Sequence, residues 1–496
     1  MWRSFASLFV GALLPLAFAP FEWWFITPLL VAGYAWLTLS RYPRAAFRRG
    51  FAFGAGAFLT GTYWLYHSVV TIGQVPLPLA LLLVLGMVAI MAVYFGLNAM
   101  ILSRIAAKNR AVVFSLLPFI WVITEWLRGW VLSGFPWLAL GTSLPGTVAG
   151  GWLPIGGVHL GSFVLVSAGS AIAAIATAER KMQRAGAVVL LVLVAVSGVL
   201  YDRQWSEPLD DTLRVSIGQL GQDQRLKWDP EQFNATLEWY AQFAVAGADA
   251  DLILMPEVAI PTVAQRVEGY LNQLERLAVS RGQSVALGIL NRPEDSEPSN
   301  AMLTLGGDDR QWYEKRHLVP FGEFFPVPSF IRDWMRLKGL PYADIRRGDL
   351  SPPAVQVGDA LAAVSICYED AYSGEQLVFF PSATFIINIS NDAWFGDTIA
   401  PHQHLQIART RSAESRRWQA RATNAGITAI IDDRGRVIET VPAFQPATLN
   451  GTLSLRAGHT PYTKIGNAPL LILCALTLLA GGYQVRRGGS GFNPAK

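Results

Sequence analysis

Residues 361–370 read LAAVSICYED. An apolar run carries a lone cysteine, Cys367, and ends on Tyr368, Glu369 and Asp370. The chain has 496 residues and two cysteines, too few for a disulfide framework. The other one, Cys474, lies in PLLILCALTLLAGG (469–482) and reads as a packing residue in an apolar segment. Cys367 is therefore a free thiol at the end of a buried-looking strand, beside two carboxylates. Whether it belongs to a core or to a site depends on the strands around it.

Working outward, charged residues and short β-rich runs alternate with helical patterns from about residue 204. LRVSIGQLG (213–221), ADLILMPEVAI (250–260), SVALGIL, NAMLTLGG and QWYEKRHLVP read as strands, as do ALAAVSICYED (360–370) and ATFIINISND (383–392). Helices are expected over 230–246 and 264–281, closed by Gly247 and Gly282, over SGEQLVFFP (373–381), and as one long helix over 404–426. ITAIIDDRGRVIETV reads as a hairpin about Asp433, Arg434 and Gly435, with the strand ATLNGTLSL after it. Such alternation implies buried strands covered by helical layers, with chemistry gathered just past the carboxyl ends of strands. Glu257 stands at one such end and Cys367 at another.

The rest of the chain is apolar. Hydrophobic residues make up 52% and charged residues 15%, against about 25% charged in a soluble domain. Seven apolar stretches precede residue 202, at about 5–20, 24–40, 51–71, 77–101, 111–127, 158–178 and 185–201, and an eighth covers 467–483. Most approach the roughly 20 residues that cross a bilayer. Residues 1–20 also resemble a signal peptide, with Arg3, an apolar core and AFA; the loop pattern works with the segment retained. Arg41, Arg44, Arg48 and Arg49 fall in one connection, Arg104, Lys108 and Arg110 in another, and Arg180, Lys181 and Arg184 in a third, while APFEWW and HSVVTIGQVP have no Lys or Arg. The positive-inside rule then puts both termini in the cytoplasm and the block between the seventh and eighth spans outside, in the periplasm of a bacterium. The expected organisation is a membrane domain over 1–203, an outer α/β domain over 204–458, and a last span with a cytoplasmic tail over 459–496. A net charge of +4 gives no case for nucleic acid.

Three segments of the outer block, LMPEVAIP (254–261), YEKRHLVPFGEFFP (313–326) and VSICYED (364–370), resemble the catalytic segments of the nitrilase superfamily, which supply a glutamate, a lysine and a cysteine. NISNDAWFG (388–396), the arginine-rich stretch 404–426 and the seven-plus-one membrane layout resemble one branch of it, the apolipoprotein N-acyltransferases. The resemblance covers almost the whole chain. It implies a nitrilase-type αββα sandwich held over a polytopic α-helical membrane domain. It implies an activity that moves an acyl chain from a phospholipid to the free α-amino group of a diacylglyceryl-cysteine apolipoprotein. It places the triad at Glu257, Lys315 and Cys367, with Trp228 of LKWDP, Glu323, Tyr368 and Glu369 in support.

The chemistry suits those residue types. A thiol attacks carbonyls well as thiolate. Glu257 can take its proton as general base and return it to the leaving alcohol, a role that suits a carboxyl whose pKa burial has raised. Lys315 can hold an oxyanion, and Glu323 can balance the lysine. A thioester on Cys367 would then meet an amine, which needs no ATP or other cofactor. Two competing functions carry other expectations: a membrane-tethered amidase would use water in the second step, and a transporter would need ionisable residues paired inside its spans.

Further stretches bear on the substrate. Glu125 and Arg128, at i and i+3, suit either an interfacial ion pair or one wall of a groove that admits lipid, with Gly134, Pro136 and Trp137 suggesting a re-entrant turn. Phe330, Trp334, Leu337 and Leu340, with Arg332, Arg336 and Lys338 around them, fit an amphipathic helix on a membrane surface and a lid over the thiol. His402 and His404 have no companion set of ligands and read as surface residues, so no metal is expected. The arginines of 403–423 fit a structural charge network better than headgroup contacts.

Overall fold

The computed structural model describes residues 1–105, 110–177, 179–294, 296–324, 330 and 345–489. The chain divides into two compact units, Met1–Arg203 with Ile465–Lys496, and Gln204–Lys464.

The first unit is helical. Helices run over Trp2–Ala12, Thr27–Thr38, Pro43–Gly61, Leu77–Ile105, Arg110–Arg128, Leu153–Thr177, Arg180–Asp202 and Ala468–Gly489. Among the described residues, three helical stretches are long and apolar enough to cross a membrane: Leu77–Ile105, Val148–Thr177 and Arg180–Asp202. The third helix differs from expectation. RYPRAAFRRG was expected as a loop, but Pro43 starts the helix there, as a proline suits the first helical turn. Arg49 reaches back to the carbonyls of Leu37 and Leu39, both at 3.2 Å, where a preceding helix ends and a cation is favoured.

Glu125 and Arg128 are both buried within the helical unit. Each meets other groups: Glu125 Oε2 accepts from the Leu140 N–H at 3.1 Å and from Trp121 at 3.3 Å, and its Oε1 lies 3.6 Å from His159 Nδ1. Arg128 donates to the Trp137 carbonyl at 2.6 Å and lies 5.1 Å over the Phe58 ring. The irregular backbone of 131–152, with Gly134 at φ 74°, is thus tied into protein, the condition under which such backbone tolerates an apolar setting.

The second unit is a sandwich of two sheets. The first is ordered β13-β1-β2-β4-β5-β6, with β3 also on β4. Its strands are β1 (Glu207–Gln219), β2 (Leu252–Leu254), β3 (Ile260–Val263), β4 (Ser284–Asn291), β5 (Ser299–Leu305), β6 (Gln311–Glu314) and β13 (Ala447–Ala457). The second is ordered β12-β11-β10-β9-β8-β7. It contains β7 (Val355–Val357), β8 (Ala360–Ile366), β9 (Phe385–Ser390), β10 (Gln419–Thr423), β11 (Ala429–Ile431) and β12 (Val437–Thr440). Side chains of both sheets, among them Val215, Leu254, Val364, Ile387 and Ala420, share one core. The outer face of the first sheet buries helices Pro230–Ala246 and Glu268–Arg281 through Tyr240, Phe243, Leu271 and Leu274. The second sheet is covered by helix Ala400–Ser415 through Leu405 and Ala408. The layer order is αββα.

Register brings the two sheets' chemistry to one end. β1, β2 and β4 run parallel, so Glu257 follows the carboxyl end of β2. β5 and β6 return antiparallel with Ala301 opposite Glu314, so Lys315 stands opposite Asn300 and donates its N–H to the Asn300 carbonyl at 2.8 Å. β8 and β9 are parallel, and Cys367 follows the carboxyl end of β8.

Two expectations are corrected. The long helix over 404–426 ends at Ser415, where Arg416 turns left-handed at φ 55°, and Gln419–Thr423 becomes β10. The strand wins because Ala420 and Ala422 enter the sandwich core while Arg417 and Arg421 find buried acceptors, including the carbonyls of Ala383 and Gly458 for Arg417. The segment after Cys367 forms 3-10 turns, Cys367–Ala371 and Ser373–Phe379, rather than an α-helix. Of the expected amphipathic helix at 330–340, Trp334, Leu337 and Leu340 lie outside the described residues, and Phe330 is exposed.

The glutamate end of β2 rests directly on β4. A Cβ on Gly288 would meet the Pro256 oxygen at 2.4 Å, the Val258 nitrogen at 2.5 Å and the Glu257 Cα at 2.7 Å. Backbone on all sides leaves no side chain to yield. Gly288→Ala is therefore expected to cost about 1–3 kcal/mol by overpacking, read as a lowered melting temperature in detergent. A wild-type melting temperature would contradict the close approach.

Candidate active site

Glu257 Oε1 takes two hydrogen bonds, from Lys315 Nζ at 3.0 Å and from Asn300 Nδ2 at 2.7 Å. The same lysine donates to Glu323 Oε1 at 2.9 Å, and Asn300 also reaches that oxygen at 2.9 Å. Glu323 Oε2 is held by the Val319 N–H at 2.8 Å. Lys315 is 1% and Glu257 6% exposed. Burial disfavours the Lys315 ammonium, but Glu257, Glu323 and Cys367 outweigh it and hold its pKa well above that of an ordinary lysine. The lysine is a fixed cation.

Cys367 is buried and sits at φ 53°, a left-handed conformation that few residues other than glycine adopt. It is the first residue of the turn Cys367–Ala371, so its side chain leaves the sheet at a sharp elbow. Burial raises the thiol pKa well above normal, Glu257 adds to the rise, and Lys315 opposes it. The resting group is a neutral thiol, which needs a base if it is to act as a nucleophile.

Glu369 joins the elbow to the lysine. Its Oε2 accepts from the Ile366 N–H at 2.7 Å and from Tyr313 Oη at 2.8 Å. Its Oε1 accepts from the N–H of Arg316 at 2.5 Å and of His317 at 3.1 Å. The elbow of one sheet and the strand exit of the other are thus bound to one carboxylate. Burial pushes the Glu369 carboxyl above its ordinary range, against Arg316 and the donors that pull it down. Tyr368 is half-buried and edges the rings of Tyr372 at 5.2 Å and His317 at 5.8 Å. Trp228 is 53% exposed, between buried Lys227 and the helix cap Asp229.

Three contributors were missed in the sequence. Asn300 sits in a plain strand pattern and becomes visible only through its pairing with Lys315. Lys227, beside the noted Trp228, looks like a solvated surface cation, yet it is 3% exposed and donates to the Glu257 carbonyl at 3.0 Å. His404, read as a surface residue, is 1% exposed and touches the Cys367 carbonyl at 3.1 Å. His402 is exposed, and no cluster suited to a metal occurs among the described residues.

These features define a protein that joins a carbon–nitrogen hydrolase fold to an apolar helical unit. Residues 214–459 match the carbon-nitrogen hydrolase family, and residues 10–171 match the apolipoprotein N-acyltransferase N-terminal domain. The chain is 36% identical over 499 residues to an apolipoprotein N-acyltransferase of Vibrio parahaemolyticus, covering 98% of each chain. It is 37% identical over 491 residues to one from Chromobacterium violaceum, covering 98% of this chain and 94% of that one. It is 36% identical over 486 residues to one from Pseudomonas aeruginosa, covering 95% and 94%. The chain belongs to the apolipoprotein N-acyltransferase family, and it is a membrane protein.

Lys227 has a measurable signature. Burial lowers its pKa from 10.5 to about 8 against the pull of Glu257 and Cys367. The unfolded chain therefore binds more protons between pH 8 and 10.5. The cost of burying the cation is fully present below pH 8 and is relieved as pH rises. Measured by unfolding in detergent, wild type should gain stability over Lys227→Met as pH rises from 7 to 10, up to about 3 kcal/mol. A difference that stays flat with pH would contradict the burial of a charged lysine.

Proposed function

We propose that this protein transfers an acyl chain from a phospholipid, through a thioester on Cys367, to the free α-amino group of a diacylglyceryl-cysteine apolipoprotein. The observation that carries the reading is the buried Glu257–Lys315–Glu323 cluster beside a cysteine held at a left-handed elbow.

Glu257 is the base. It takes the Cys367 proton as the sulfur attacks the ester carbonyl of the donor. Negative charge gathers on the carbonyl oxygen. Two of the three Lys315 N–H donors are engaged by Glu257 and Glu323, and the third is available to the oxyanion. Collapse expels the lysophospholipid alkoxide, which takes its proton from Glu257. In the second half, the neutral amine attacks the thioester, Glu257 receives the amine's proton, and the thiolate leaves and is reprotonated. Ester becomes thioester and then amide, with no ATP or other cofactor.

The side chains around the cluster have supporting roles. Glu323 keeps Lys315 aimed. Glu369 fixes the elbow. Trp228, exposed beside buried Lys227, offers an apolar face to an acyl chain, and Tyr368 closes the thiol's flank. Basic connections at 104–110 and 180–184, against loops without Lys or Arg, support an inner-membrane protein with both termini cytoplasmic and the catalytic unit in the periplasm.

Incubation of the purified protein with phospholipid and a diacylated lipopeptide tests the reading by mass spectrometry. The expected product is lipopeptide carrying one further acyl chain, absent with Cys367→Ala and reduced at least about a hundred-fold with Glu257→Gln, as for loss of a general base. Release of free fatty acid with unmodified lipopeptide would instead support a hydrolase.

A further inference from the structure

Both ring nitrogens of His404 face oxygen acceptors. Nδ1 lies 2.7 Å from Asp392 Oδ1, and Nε2 lies 3.1 Å from the backbone carbonyl of Cys367. A neutral imidazole donates from one nitrogen only, so both bonds form together only in the imidazolium. The groups behind it agree. Arg421 lies 3.1 Å from Asp392 and 3.5 Å from Asp370, and all three are fully buried. Two carboxylates and one guanidinium leave one negative charge beneath the nucleophile, which a protonated His404 cancels.

The carboxylate packs against backbone that carries no side chain. A Cβ on Gly426 would lie 2.2 Å from Asp392 Oδ2, so only glycine there leaves the carboxylate its place beside the ring. Arg421 is held in turn by Asn388 and Ser390. The chain Asp370, Arg421, Asp392, His404 thus ends on the residue whose φ is left-handed and whose sulfur reacts.

We propose that His404 is a positioning residue that acts as a buried imidazolium: it pins the Cys367 carbonyl, holding the elbow, and cancels the charge of Asp392 so that the thiolate formed during attack is not opposed from behind. Lys315 faces the thiol from the first sheet, and His404 supports it from the second. The proposal rests on Cys367 being the nucleophile. Its test reads the thiol directly, so failure of acyl transfer and failure of this inference are distinguishable.

The measurement is the pH dependence of Cys367 alkylation by iodoacetamide in the full-length protein in detergent, followed on the Cys367 peptide by mass spectrometry. His404→Gln keeps one donor toward the carbonyl but loses the charge. Alkylation at a fixed pH should slow at least about ten-fold, a shift of one unit toward higher pH. Asp392→Asn added to His404→Gln removes the uncancelled carboxylate and should restore the rate to within about three-fold of wild type. A wild-type profile in His404→Gln, or no recovery in the double variant, would overturn the charge argument. A measurement on wild type stands even if a variant fails to fold. With 15N-histidine and 13C-carbonyl-cysteine labels, the ring coupled to the Cys367 carbonyl should carry protons on both nitrogens at neutral pH. One bare nitrogen there would overturn the proposal.

Discussion

The Glu369 carboxylate is the constraint on which the site depends. Four donors converge on its two oxygens, two of them N–H groups just past the lysine strand and one the N–H that precedes the cysteine. A nucleophile on one sheet and a cation on the other need a fixed offset, and shape packing between two apolar faces sets that offset only loosely. Hydrogen bonds set it within tenths of an ångström. A carboxylate suits the task because it accepts several bonds at once and donates none. Its burial is costly, and the four donors and Arg316 offset that cost only in part.

Around this fixed point the buried charges are arranged in two balanced groups. In front of the thiol, Glu257 and Glu323 face Lys315 and Lys227. Behind it, Asp370 and Asp392 face Arg421 and His404. An uncompensated charge at this depth would cost several kcal/mol, and in each group the acidic side chains stand against basic ones. The balance also explains how a thiol with a raised pKa can serve as a nucleophile. A proton moved from Cys367 to Glu257 changes no net charge in the front group, and the cation that remains can follow the negative charge to the substrate oxygen.

The placement of Glu257 and Cys367 past the carboxyl ends of strands is legible in the sequence, and the structure keeps both there. ADLILMPEVAI and ALAAVSICYED stop where the backbone leaves the sheet; either run alone reads as ordinary core, and it is the three segments together, with their flanks, that point to a site. What stayed hidden was long-range pairing. Asn300 acquires its role from the β5–β6 register, 43 residues from Glu257 in sequence. Lys227 and His404 are solvated-looking polar residues whose burial comes from segments far along the chain. Arginine and alanine are good helix formers, so the stretch 416–423 taken alone suits a helix. The alternation of Trp418, Ala420 and Ala422 with Gln419, Arg421 and Thr423 also fits a strand, and parallel pairing with β9 decided between them.

The central claim is that one sulfur carries the acyl group between donor and acceptor. Its most direct test is to incubate the wild-type protein with a phospholipid of defined chains and no acceptor, digest it, and weigh the two cysteine peptides. The account predicts the added mass of one acyl chain on the Cys367 peptide, lost on treatment with hydroxylamine. An adduct on the Cys474 peptide, or acyl transfer to acceptor with no adduct on either cysteine, would contradict it.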